Sequence, residues 1–183
     1  MRIVLWHGWG LEGSGSNVYT ARVAERYREQ GHAVLLLCQE PHPRRVAAVD
    51  AFGDVGPGGV SALQETGAAG GSGRLILLRP QIGALLPVFV VDEYEGFQVR
   101  RFTDLTDDEL EGYLARNEAA LREAVAWHGA DVVVAGHAVP GPAVARRALE
   151  SVRYIAKVHG SDIEYAVRPD RRYRDLARFG LEG

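Results

Sequence analysis

LWHGWGLEGSGSNVY, Leu5 to Tyr19, decides how the rest of the chain reads. The apolar run Ile3-Val4-Leu5-Trp6 empties into His7-Gly8-Trp9-Gly10 and then Gly13-Ser14-Gly15-Ser16. Residues 2–6 read as a strand buried on both faces, and Val34 to Cys38 as a second. Between them a helix is expected. Ser14 or Ser16 can cap its start, Tyr19, Val23 and Tyr27 recur at one-turn spacing, and Gly31 sits where helices commonly end. Strand, glycine-rich turn, helix, strand is a βαβ unit, which implies parallel strands and a right-handed crossover.

Working outward, Gly53 to Gly73 carries GDVGPGG and GAAGGSG, a composition that favours a mobile surface loop over a long strand. Arg74 to Leu78 and Val88 to Val91 are strand-like, and Phe97 to Phe102 alternates apolar with polar, which together suggest a hairpin-like insertion. Thr106-Asp107-Asp108-Glu109 is a capping box leading a helix with Leu110, Leu114, Leu121 and Val125 on one face. Strand DVVVAG, a helix over Pro142 to Leu149, strand Tyr154 to Val158 and an arginine-rich terminal helix follow. The expected fold is α/β: a Rossmann-like, doubly wound, mainly parallel sheet with helices on both faces and a β-hairpin-like insertion, forming one domain over residues 1–183.

The chain has 183 residues, 46% of them hydrophobic, enough for one sizeable core. Its net charge of -3 gives no reason to expect a nucleic-acid partner. Cys38 is the sole cysteine, so neither an intrachain disulfide nor a cysteine metal cage can form, which fits a reducing cytoplasm. No run approaches the roughly 20 apolar residues of a membrane span, and the four-residue N-terminal run is too short for a signal-peptide core.

In open α/β sheets ligands bind beyond the carboxyl ends of the strands, and HGWGLEGSGSN, GHAVPG and HGSD all fall at such ends. They are expected to converge in one crevice. An α/β-hydrolase would need a Gly-x-Ser-x-Gly elbow, which is absent; the nearest approach, at Ser72, has Arg74 where the second glycine belongs. A P-loop would need a lysine after Gly13, where Ser14 stands. A dinucleotide fingerprint is met by Gly8, Gly10 and Gly13 with Glu40 as the ribose-binding acid, but two aromatics crowd the turn. What the loop supplies without further residues is close backbone approach and free N–H groups at a helix start, which attract an anion such as a diphosphate.

The segment GSGSNVYTARVAERYREQGHAVLLLCQEP, with its Gly31-His32 pair, resembles the opening of retaining GT-B glycosyltransferases of the group 1, family 4-like type. DVVVAGHAVPG and YIAKVHGSD are similar to the two later strands of that family that end in histidine. The resemblance implies an N-terminal, acceptor-side domain, with a C-terminal domain supplying most of the donor site, a Glu-x7-Glu carboxylate pair and a cation for the leaving diphosphate. That half is expected to be missing from the chain, which alone would be inactive. By position, Gly13, Ser14, Gly15 and Ser16 would approach the diphosphate of a nucleotide sugar such as a UDP- or GDP-hexose. His137 would be the catalytic-side contact to the donor sugar, and His159, Asp162 and His7 would line the cleft. No cofactor is implied.

Glu93 and Tyr94 are candidates for recognising a sugar or lipid-linked acceptor, Tyr94 by stacking. Arg168, Arg171, Arg172, Arg174 and Arg178 make the tail basic, compatible with a peripheral position at the inner face of a membrane, although Asp170, Asp175 and Glu182 dilute the charge. No His/Asp/Glu cluster has metal-ligand spacing, so no metal is expected. A face built to meet a second domain is expected to expose apolar and glycine-rich residues and so to favour self-association. The alternative on these residues is a noncatalytic α/β module that binds a nucleotide or another partner.

Overall fold

The computed structural model describes residues 1–67 and 71–182. Strand β1 (Arg2–Trp6) opens helix α1 (Gly15–Glu29) through the glycine-rich turn, and β2 (Ala33–Leu37) returns beside β1 in parallel register. Ser14 is the cap, its Oγ accepting from the Asn17 N–H at 3.3 Å. At the other end Gly31 has a φ of +85°, and the His32 N–H turns back to the Tyr27 carbonyl at 3.1 Å.

The stretch expected to be a loop from Gly53 is instead a β-hairpin. Strands β3 (Ala51–Gly56) and β4 (Gly59–Glu65) are antiparallel, joined by Pro57 and Gly58. Glycine normally weakens a strand, but at Gly53 the register shifts, and a Cβ would lie 2.7 Å from the Ser61 carbonyl oxygen. The glycine is there because the backbones approach too closely for any side chain. Of the GAAGGSG part of that expected loop, residues 68–70 lie outside the described residues.

The hairpin expected over residues 74–102 is also placed differently. Strand β5 (Arg74–Pro80) is an interior strand of the main sheet, between β3 and β2. Strand β6 is Leu85–Val88 rather than Val88–Val91, and it pairs in parallel with β7 (Gln98–Arg101) to form a small second sheet. Val90 and Val91 are exposed beyond it. The sequence there is apolar without being strand, because it forms the rim of a cleft.

Helix α2 (Asp107–His128) begins with the expected capping box. The Glu109 N–H donates to Thr106 Oγ1 at 3.2 Å, and the Thr106 N–H donates to Glu109 Oε2 at 2.9 Å. Strand β8 (Val132–Gly136), helix α3 (Gly141–Ala148) and strand β9 (Arg153–Lys157) complete the alternation. A short turn, α4 (Gly160–Asp162), runs into a π-helical turn over Ile163–Val167 and then α5 (Arg171–Leu181).

The main sheet has seven strands in the order β4-β3-β5-β2-β1-β8-β9, all pairs parallel except β3 with β4. Residues of one strand alternate between two cores. Ile3, Leu5, Val34, Leu36 and Cys38 pack with Ala24 of α1, whereas Val4, Trp6, Leu35 and Leu37 pack with Leu114 and Leu121 of α2 and Val144 of α3. Burial in the first core pushes the Cys38 thiol pKa up, so it behaves as a small hydrophobe. In the tail, Arg168, Arg171, Arg172 and Arg178 each sit against a carboxylate, which leaves the helix face largely neutral. No helix among the described residues is long and apolar enough to cross a membrane.

Candidate active site

The strand order reverses at β1, which has β2 on one side and β8 on the other. A cleft of about 470 Å³ opens at this switch point, beyond the carboxyl ends of the strands. Its polar lining includes Ser14, Ser16, Asn17, Asp92, His137 and Ser161, and Trp9, Phe89 and Tyr94 provide its aromatic walls.

The loop after β1 is held from several sides. The His7 N–H donates to the Leu37 carbonyl at 2.9 Å, the Gln39 N–H to Trp9 at 2.9 Å, and the Trp9 indole to the Pro87 carbonyl at 2.8 Å. Glu40 accepts the Leu11 N–H at 3.0 Å on one oxygen and the His42 N–H at 3.0 Å on the other. The acid that a dinucleotide site would turn toward ribose is therefore buried and engaged in backbone bonds. Gly8 has a φ of +92°, and a Cβ there would lie 2.9 Å from the Trp6 ring, so the turn needs glycine.

At the other wall, the start of α1 faces the cleft through Gly13, Ser14 and Ser16. Its first turn carries no acidic residue, whereas α2 has three acids in its first turn. The partial positive charge at the start of α1 thus meets no acid of its own helix; the carboxylate facing it is Asp92 of the cleft lip, whose Oδ2 would lie 3.9 Å from a Cβ at Gly13. Gly15 is exposed and outside the lining, and a Cβ there would meet nothing within 4 Å.

The histidines form a row. The rings of His7 and His137 are 6.0 Å apart and those of His137 and His159 are 4.5 Å apart, with Trp9 edge-on to His137 at 4.7 Å and Phe89 at 5.0 Å. His7 is buried behind the cleft wall, where Nε2 donates to Asn17 Oδ1 at 2.9 Å and Nδ1 lies 3.2 Å from the Thr20 hydroxyl. Burial dominates its titration, lowering its pKa to about 3 against the opposing pull of Asn17, so the ring is neutral. His159 is half-buried and outside the lining. Burial and then the His137 charge lower its pKa, and its ring meets Tyr19 on the outer side.

His137 lines the cleft, is 1% exposed, and holds a left-handed backbone at φ +67°. Neither of its ring nitrogens has a hydrogen-bond partner. Nδ1 stands 3.6 Å from Asp162 Oδ2, beyond hydrogen-bond reach, and a buried imidazole whose nitrogens make no hydrogen bond at the wall of a cleft is an incomplete site.

Asp162, expected in the cleft lining, does not line it: the residue is fully buried. Its oxygens accept backbone N–H groups from Ala138, His159 and Ile163. Glu93, expected to meet an acceptor, is exposed and outside the lining; its neighbour Tyr94 does line the cleft. Sequence reasoning missed Trp9, Asn17 and Phe89. Trp9 looked like a steric obstacle in the turn, but its indole N–H had to find a partner, which was a usable signal. Asn17 closes the stretch HGWGLEGSGSN but was assigned no role there, although a short amide in a first turn readily bonds the loop before it, as Nδ2 does with the Glu12 carbonyl at 2.5 Å. Among the described residues no group of three or more His, Cys, Asp or Glu is arranged to hold a metal ion.

Comparison with known proteins follows the same outline. A family model described as "Glycosyl transferase 4-like domain" matches residues 14–182. A search of curated proteins gives no match. Among solved structures, a sucrose-phosphate synthase from Thermosynechococcus elongatus superposes with a TM-score of 0.56 at 14% sequence identity. The similarity covers 100% of this chain and 40% of that one, so the chain spans well under half the length of that enzyme. At that identity the likeness speaks for the fold, while the family match runs through the α1 cap, His137, His159 and the terminal helix. The chain belongs to the glycosyl transferase 4-like domain family and is a Rossmann-like domain of the GT-B glycosyltransferase type.

Proposed function

We propose that the domain is the acceptor-side half of a nucleotide-sugar-dependent hexosyltransferase that works with retention, and that it requires a C-terminal donor-binding domain for turnover. The observation that carries this reading is the buried His137, whose ring nitrogens make no hydrogen bond, facing the same cleft as the acid-free first turn of α1. Backbone N–H groups at Gly15 and Ser16, with the Ser14 and Ser16 hydroxyls, suit the diphosphate of a UDP- or GDP-hexose. They would stabilise charge developing on the leaving group. His137 suits a hydroxyl of the transferred sugar, with His7 and His159 as its ring neighbours. Tyr94 offers a flat apolar surface for an acceptor sugar, and Glu93 lies at the outer edge of that approach. In the complete enzyme an acceptor hydroxyl attacks the anomeric carbon while the nucleoside diphosphate departs. The sequence contains no Glu-x7-Glu pair for this step, so the domain is expected to bind without turning over.

Saturation-transfer and chemical-shift NMR with UDP-glucose and GDP-mannose test the reading. Binding is expected to perturb Ser14, Ser16 and His137 first. Absence of contact with either nucleotide sugar at millimolar concentration, together with no contact to sugar acceptors, would overturn it.

A further inference from the structure

Asp162 lies on the last residue of the short turn after β9, yet its carboxylate serves the loop after β8. Its Oδ2 accepts the Ala138 N–H from that loop and the His159 N–H at 3.3 Å from its own, and Oδ1 accepts the Ile163 N–H at 2.9 Å. The two histidine-bearing loops are thereby joined at one buried carboxylate. Burial opposes its charge, but the His137 ring and these amides outweigh that and hold its pKa below the usual carboxylate value, so it is ionised.

The same Oδ2 lies 3.6 Å from His137 Nδ1. The other close neighbours of the His137 ring are the rings of Trp9, Phe89, His7 and His159, and none of them makes a hydrogen bond to it. Asp162 is therefore the charged group nearest this ring. A bare Nδ1 lone pair would face an anion, which is repulsive, whereas an Nδ1–H would face it favourably. The gap is slightly longer than a hydrogen bond, as is common where a catalytic contact tightens only with ligand present. The left-handed backbone at His137 is an uncommon conformation outside glycine, and it persists where surrounding contacts enforce it.

We propose that Asp162 is the positioning residue of this cleft: it holds the His137 ring with its Nδ1–H toward the carboxylate and leaves Nε2 to accept a hydrogen bond from a sugar hydroxyl. The proposal rests on the reading of the cleft as a nucleotide-sugar site. It reassigns Asp162 from touching ligand to acting through His137.

Long-range ¹H–¹⁵N NMR on the full chain with labelled histidine, at a pH where the ring is neutral, reads the tautomer directly. The expected result is a protonated Nδ1 and a bare Nε2 at His137. A bare Nδ1 with Nε2–H in the unaltered protein overturns the proposal, whatever any variant does. In Asp162→Asn, checked for folding by its thermal transition, the tautomers are expected to mix. UDP-glucose or GDP-mannose binding is expected to weaken about tenfold, the scale of one misdirected hydrogen bond. A folded Asp162→Asn protein with an unchanged tautomer and unchanged affinity also overturns it. If neither nucleotide sugar binds the unaltered protein while Nδ1 is protonated, the functional reading fails and the hold of Asp162 on His137 stands.

Discussion

His7 shows how a single buried side chain can write a pH dependence into the whole fold. Its ring stays neutral in the folded protein down to about pH 3, chiefly because burial disfavours the charged form, while the unfolded chain has the ordinary histidine value of 6.5. Between those values the unfolded state takes up a proton that the folded state refuses. The stabilising contribution is complete above pH 6.5 and declines as the pH falls below it, with a slope of up to about 1.4 kcal/mol per pH unit. The carboxylates of half-buried Asp50 and buried Asp162 have lowered pKa values, so their contributions are lost only at lower pH, as it falls through their folded values. His7→Gln is therefore expected to flatten the fall in urea stability between about pH 6.5 and about pH 4.5 relative to the unaltered protein. An equal fall in both proteins would count against a neutral His7. The position of His7 was legible one residue past an apolar strand. Its partner Asn17 was not, because the pairing exists only once the turn has folded back on the helix.

Among elements, the βαβ opening, the capping box of α2 and the later alternation of β8, α3 and β9 were legible because each rests on a local rule. Ser14 and Thr106 do what a cap residue does wherever it sits. The β3–β4 hairpin was not legible, because glycine content registers only the entropic disadvantage of glycine in a strand and not the contact that demands it. Gly53→Ala and Gly15→Ala separate the two situations. At Gly53 the added methyl meets the Ser61 carbonyl and the Leu63 backbone, and a loss of about 1–3 kcal/mol is expected in thermal or urea unfolding. At Gly15 it meets nothing, and stability is expected to hold or rise by up to about 1 kcal/mol from the better helix propensity of alanine. A costly Gly15→Ala would show that the start of α1 is more confined than its open surroundings imply. The displaced β6 has a related cause. Val88 to Val91 is uniformly apolar, so nothing in the pattern distinguishes the buried end of a strand from the lip of a cleft.

At the scale of the molecule, the exposed large apolar residues include Val18 and Tyr19 at the start of α1, Val90 and Val91 at the cleft lip, and Val158 and Tyr165 after β9. They lie around the carboxyl ends of the strands, where the ring of Tyr19 already meets His159 and Lys157 lies over its face. Such a rim is suited to cover by another apolar surface. Sedimentation of the chain alone is expected to show self-association that grows with concentration, and Val91→Lys is expected to reduce it. A strictly monomeric chain at high concentration would speak against the rim as a docking face.

The two margins of the main sheet are unlike. At one, β4 runs antiparallel to its neighbour and exposes Ser61, Leu63, Gln64 and Glu65, with Glu65 tied to Arg74 and Gln64 to Arg44. At the other, β9 runs in the common direction and leaves Ile155 exposed. A reversed margin terminates a series of parallel crossovers, while a co-directional one can continue it. The architecture thus offers two unlike hydrogen-bonding templates: a strand added at β9 in the common direction extends the parallel series, whereas one added at β4 meets a reversed edge.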